Sequence, residues 1–250
     1  MLSNNIKFKN FNLNKSNKKI SNIFKKLITE NNEILNSLKN NYKSSYNKKI
    51  ILKLKKFSEI HLIGIGGSVL GSKAIYSFLK KRIKKIFYFQ DHFQEIKSKS
   101  KKKKINQLNL IISKSGNTLE TISNSNIAIN NHEKNVFITE NRQSYLMELA
   151  NKLKSDVIHH NNFIGGRYSV LSEVGMLPAE LMGLNPNKFR QLNNLIKNKK
   201  FINSLVANVN SLISLSKNKS NSIILNYDRK SEDFLEWYKQ LSAESLGKKN

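Results

Sequence analysis

The sequence predicts an α/β fold built on a doubly wound parallel sheet. Two observations point there. Short apolar runs alternate with stretches of helical periodicity, and glycine-bearing turns follow two of those runs. A third observation marks where the chemistry lies: all ten glycines fall in four short segments. These are Gly64-Ile-Gly66-Gly67-Ser68-Val-Leu-Gly71, Ser113-Lys-Ser-Gly116-Asn-Thr118, Gly165-Gly166-Arg167-Tyr-Ser on to Gly183, and Glu244-Ser-Leu-Gly247-Lys248. Glycine permits close backbone approach to a ligand and costs entropy elsewhere.

Taken in order, residues 1–56 read as mostly helical, with Ile23, Phe24, Leu27, Ile28, Ile34 and Leu35 at roughly helical spacing. Ile60-His-Leu-Ile63 reads as a strand entering the first glycine segment, and Ser72–Lys80 as the helix after it. Ile86–Phe89 is a second strand, and Leu108–Ile112 a third that enters the second segment. Asn117, with Glu120 three residues on, reads as an N-cap and capping box for the next helix. Val136–Ile138 is a further strand and 143–153 a further helix. In such sheets ligands bind at the carboxyl ends of the strands, where both glycine turns fall. Beyond Pro178 and Pro186 the pattern restarts, with helix over 193–216, strand over Ser222–Asn226 and an amphipathic helix over Asp233–Ser245. The resulting division is 1–56 helical, 57–190 a first α/β domain, and 191–250 the start of a second, incomplete one.

Composition narrows the function. The chain has no cysteine, which excludes disulfides and thiolate catalysis. No run approaches the ~18 apolar residues of a membrane span, and the first residues lack a secretory core, so a cytoplasmic location is expected. Forty-four Lys and Arg against 17 Asp and Glu give a net charge of +27. A basic field attracts polyanions. Yet the densest run, Lys97–Lys104, holds neither arginine nor aromatic residues. A solvated Lys-rich connection is therefore preferred to a nucleic-acid interface.

The four segments carry the chemistry. Counting from Gly64, the sixth residue is Val69, so the dinucleotide fingerprint fails. The P-loop ending is inverted as Ser72-Lys73. What remains is a turn of exposed N–H groups at a helix start, with Gly67 and Ser68 in it, suited to a small anion. Ser113, Ser115 and Thr118 repeat that logic with three hydroxyls, while Lys114 can pair with the anion or point outward. Arg167 follows two glycines as a planar, permanently charged donor suited to an oxyanion; a structural salt bridge is the alternative. Gln240 and Glu244 are four apart and share a helix face, with Leu235, Tyr238 and Leu241 packing on another. Trp237 reads as core or interface. The histidines carry no clear signal; His61 reads as a packed strand residue.

In this order the segments resemble the glucose-6-phosphate isomerase (phosphoglucose isomerase) family. Its pattern is Gly-Ile-Gly-Gly-Ser, then Ser-Lys-(Ser/Thr)-x-x-Thr-x-Glu-Thr, then Gly-Gly-Arg-(Tyr/Phe)-Ser-x-x-Ser-x-x-Gly, then Gln-x-x-x-Glu-Ser-x-Gly-Lys. These stand here as Gly64–Gly71, Ser113–Thr121, Gly165–Gly175 and Gln240–Lys248. The resemblance implies a sugar-isomerase fold of flavodoxin-like type and an aldose–ketose isomerisation through a cis-enediolate, without cofactor or metal. By motif, Ser113, Ser115, Thr118, the Lys114 backbone and Gln240 would hold the substrate phosphate. Gly67 and Ser68 would line the sugar, Arg167 would steady the enediolate oxygen, and Glu244 would be the base. It further implies a homodimer, and a histidine and a late lysine after residue 250, so the chain is expected to be an N-terminal portion. A non-catalytic sugar-phosphate binding module is the alternative.

Overall fold

The computed structural model describes residues 17–93, 106–129, 133–217 and 221–247. The Lys97–Lys104 run and Lys248 lie outside the described residues. In chain order come α1 (Lys18–Thr29), α2 (Glu33–Ser37), α3 (Lys48–Leu54), β1 (Glu59–Ile63), α4 (Leu70–Leu79), β2 (Ile86–Gln90) and β3 (Gln107–Ile112). Then follow α5 (Leu119–Ala128), β4 (Lys134–Thr139), α6 (Tyr145–Lys152), β5 (Asp156–His159) and α7 (Glu173–Leu181). The described residues end with α8 (Leu192–Leu195), α9 (Lys199–Ser216) and α10 (Glu232–Leu246).

The chain forms two compact units, residues 1–42 with 190–225 and residues 43–189 with 226–250. In the first, α1 lies beside α9, with the Asn17 amide donating to Asn210 at 3.0 Å. The Leu192 N–H donates to the Leu38 carbonyl at 3.1 Å. The helix read over 193–216 is two helices, because Asn198 leaves helical geometry and caps α9 by accepting from Phe201 N.

The second unit holds a five-stranded sheet in the order β2-β1-β3-β4-β5, every pair parallel. A doubly wound sheet is thus what the chain forms. Its central strands β3 and β4 are buried on both faces, which is why they read as continuous apolar runs. Leu110, Ile112, Val136 and Ile138 face one way and join Leu54, Tyr76 and Leu177 from α3, α4 and α7. Ile111 and Phe137 face the other, against Ala128 of α5 and Leu146 and Ala150 of α6. Chain order reverses between β1 and β3, the first strand sending its successor to one side and its second successor to the other. That is the switch point at which open α/β sheets bind ligands.

Three local expectations change. Asn117 does not cap α5: the N-cap is Thr118, without a side-chain bond. The Asn117 side-chain Oδ1 instead accepts from the Tyr145 N–H at 2.9 Å, tying two turns together. Residues 222–226 form no strand, and Ile223 and Leu225 are exposed, since β-branched residues make a strand only where a neighbour pairs with them. The helix α10 packs on α4. Lys73 of α4 lies 3.0 Å from Asp91 and 3.7 Å from Asp233 of α10, and Ser77 also bonds Asp233. Tyr238, expected to pack, is exposed on that helix.

Candidate active site

The first two glycine segments meet at the switch point. Ile63 stands opposite Ile111 in the register, so the β1 and β3 turns emerge side by side, and the Gly64 N–H extends the pairing of β1 with β2 by donating to Gln90 O at 3.1 Å. Gly66 has φ +56°, and the Gln240 Nε2 lies 2.8 Å from where a Cβ would stand. Such a conformation favours glycine over any residue with a Cβ. Gly67 packs against the Gly166 backbone so closely that a Cβ would overlap its carbonyl carbon and oxygen. The Ser169 hydroxyl spans both turns, donating to Gly166 O at 2.7 Å and Gly67 O at 3.2 Å. Gly67→Ala is therefore expected to destabilise the fold by about 1–3 kcal/mol, the usual cost of overpacking. Denaturant titration checks this, and an unchanged midpoint would refute the close approach.

In the second segment the three hydroxyls converge. Ser113 Oγ lies 2.9 Å, and Ser115 Oγ 3.4 Å, from Thr118 Oγ1. No side chain caps the start of α5. Hydroxyls beside an uncapped helix start form an anion cradle. The Lys114 carbonyl accepts from the Glu140 N–H at 3.1 Å. The Lys114 ammonium is held by Asn162 O at 2.7 Å, with Glu140 at 3.6 Å.

The third and fourth segments meet across 77 positions of sequence. Arg167 Nη1 donates to Glu244 Oε2 at 3.3 Å, while Gln240 Nε2 donates to Glu244 Oε1 at 2.7 Å. Both oxygens of the carboxylate are thus held by donors. The guanidinium sits 4.7 Å from the Tyr168 ring centroid, and the Tyr168 hydroxyl lies 3.0 Å from Ser245 Oγ. Tyr168, then Glu244, holds the Arg167 guanidinium more firmly protonated than usual. The Ser245 hydroxyl, then Arg167, lowers the Tyr168 phenol below its ordinary value. Arg167 Nε and Gln240 Oε1 are buried without a hydrogen-bond partner among the described residues. Such atoms cost about 1–3 kcal/mol each when left unpaired, which a polar ligand would relieve. The sequence reading missed Tyr168 and Ser245 as supports, although both lie inside the motifs. Among the described residues no group of three or more acidic or histidine side chains converges to hold a metal ion.

The histidines differ from one another. The His61 ring lies tilted against Tyr88, with centroids 4.8 Å apart. His160 is 1% exposed, its Nδ1 is 3.0 Å from Asn161 O, and Glu173 Oε1 is 3.8 Å away. Burial pushes the His160 imidazole below 6.5, against the opposing pull of Glu173. Burial lowers His61 likewise. Below about pH 6.5 the unfolded chain then binds protons that the folded chain does not. Stability is complete above that pH and is expected to fall as the solution is acidified, less steeply in His160→Asn. Calorimetry from neutral to mildly acid pH checks this; equal slopes for the two proteins would contradict it.

The model of the family described as phosphoglucose isomerase matches residues 10–250. Among curated proteins, the chain is 32% identical over 211 residues to a glucose-6-phosphate isomerase of Methanocaldococcus jannaschii, covering 78% of this chain and 52% of that one. It is 32% identical over 241 residues to one of Acholeplasma laidlawii, covering 82% and 55%. The chain thus spans about half the length of the curated relatives it matches. A solved glucose-6-phosphate isomerase from Chlamydia trachomatis shares the fold with a TM-score of 0.61 at 21% identity, over 86% of this chain and 48% of that one. A hypothetical protein from Thermus thermophilus does so with a TM-score of 0.70 at 21% identity, over 92% and 60%.

Proposed function

This chain belongs to the phosphoglucose isomerase family, and on that premise we propose that the protein interconverts glucose 6-phosphate and fructose 6-phosphate. One observation carries the reading: the Glu244 carboxylate is held between the Arg167 and Gln240 side chains, in the same unit as the adjoining β1 and β3 turns. Ser113, Ser115 and Thr118, with the Lys114 backbone and Gln240, receive the phosphate, and Gly67 and Ser68 flank the sugar. In the open-chain aldose, Glu244 takes the proton from C2. The C2–H electron pair forms the C1–C2 double bond while the carbonyl π pair moves onto O1. The cis-enediolate's negative charge develops beside Arg167, whose charge stays fixed. Return of that proton to C1, part of it first exchanged with solvent on the Glu244 carboxyl, together with transfer of the O2 hydroxyl proton to O1, gives the ketose. A carboxylate base and a permanent cation are what proton transfer next to a carbonyl needs.

The reading extends to residues 57–190 as a first sugar-isomerase domain and 191–250 as the start of a second, and to a cytoplasmic homodimer working in glycolysis and gluconeogenesis. It rests there on the family. Among the described residues no helix is long and apolar enough to cross a membrane. The test is conversion of fructose 6-phosphate by the whole protein in D2O, following both glucose 6-phosphate and deuterium at the transferred position. Saturable phosphosugar binding with neither turnover nor exchange would replace the enzyme reading with a binding module.

A further inference from the structure

Arg167 lies in a loop whose two ends are fastened by a buried carboxylate away from the substrate groups. Glu173, the first residue of α7, is 0% exposed. Its Oε1 accepts the Asn161 N–H at 2.8 Å, twelve positions back along the chain. Arg167 is at the midpoint, six residues from either end (167 − 161 = 173 − 167 = 6).

We propose that Glu173 is a positioning residue for Arg167, its carboxylate closing residues 161–173 into one rigid loop with the guanidinium at its apex. The role rests on the function proposed above. Three consecutive residues at the near end of this loop are held to three different elements. The His160 N–H donates to Thr139 O of β4 at 2.8 Å, Asn161 N–H to Glu173 of α7, and Asn162 O accepts from Lys114 of the hydroxyl turn at 2.7 Å. Inside the loop, Asn161 O accepts from Ile164 N at 3.1 Å, and Ile164 is fully buried. The far end is closed by Ser172, which caps α7 and donates to Ser169 O at 2.7 Å.

A carboxylate is a costly choice for this buried place. An aliphatic residue would satisfy the packing of α7, whose next residues Val174, Met176 and Leu177 are all buried and apolar. The helix start favours its charge. His160 and, beyond it, Lys114 and Glu140 are the titratable groups that face the pair. The acceptor explains the choice, because a buried backbone N–H must find one. Fixing that N–H fixes the approach of Gly165 and Gly166 to the first turn, and hence the direction from which Arg167 reaches Glu244.

The experiment compares Glu173→Ala and Glu173→Gln in the whole protein by kinetics and by hydrogen–deuterium exchange. Misplacing Arg167 should lower kcat of Glu173→Ala by about 10- to 100-fold with KM for fructose 6-phosphate little changed. Exchange should quicken over residues 161–169 and stay unchanged in β1 and β3. Glu173→Gln keeps an oxygen acceptor for Asn161 and should restore both kcat and the slow exchange. Unchanged kcat or loop exchange in the Ala variant would overturn the assignment, as would quickened exchange spread equally through β3. Absence of turnover in the unsubstituted protein would instead remove the proposed function, leaving loop exchange to decide what Glu173 holds.

Discussion

Glu244→Gln is expected to lower kcat of the whole protein by about 10²- to 10⁴-fold, the share a positioned general base contributes. The substitution is nearly isosteric, so the fold and the phosphate cradle should survive it, and KM should move little. The site also explains why the amide cannot stand in for the acid. Both Glu244 oxygens accept from donors, Gln240 on one side and Arg167 on the other. An amide offers one acceptor and one donor group, so it can satisfy only one of them and turns its NH2 on the other. Loss of the base should also abolish deuterium uptake at the transferred position. A variant that retained both kcat and exchange would show that another group moves the proton.

Arg167→Lys is expected to lower kcat/KM by about 10²- to 10³-fold, the usual effect of removing one donor to a developing oxyanion. The charge survives; the planar fork does not. Arg167 bonds Glu244 through Nη1, keeps a buried Nε unpaired among the described residues and stacks beside the Tyr168 ring. A lysine ammonium is a point donor on a flexible stem and cannot keep these relations together. The loss should appear in the affinity for a phosphorylated aldonic acid, whose carboxylate resembles the enediolate, more than in KM for substrate. Equal affinity of that mimic for both proteins would assign Arg167 to substrate binding alone.

Much of this site was visible in the order of residues because its parts are local. A strand, a glycine or hydroxyl turn and a helix start are consecutive in sequence, and both β1 and β3 end in that way. Ser113, Ser115 and Thr118 share one turn, so their convergence follows from spacing. Gln240 and Glu244, one helical turn apart, share a helix face as expected, and the structure adds a bond between them. Elements with weaker local signals went unread. β5 is four residues long and follows Lys154, which has positive φ. α7 carries Gly175 and Pro178 in its first turns, where both suggest a break rather than a buried helix. Glu173 gave a faint signal as an acid leading an apolar run, but nothing in that run shows that its acceptor serves Asn161.

By itself, then, the sequence determined the class of fold, the two adjoining turns at the carboxyl ends of β1 and β3, and the kinds of side chain available to an anion and a proton. The tertiary structure decided where α10 goes. That helix packs on α4, and Glu244 arrives beside Arg167. It also decided that 222–226 is not a strand and that Asn117 serves Tyr145. The physical reason is common to all three. Periodicity, caps and turns act over a few residues, whereas pairing of Asp233 with Lys73, of Glu244 with Arg167 and of Glu173 with Asn161 depends on which surfaces packing brings together.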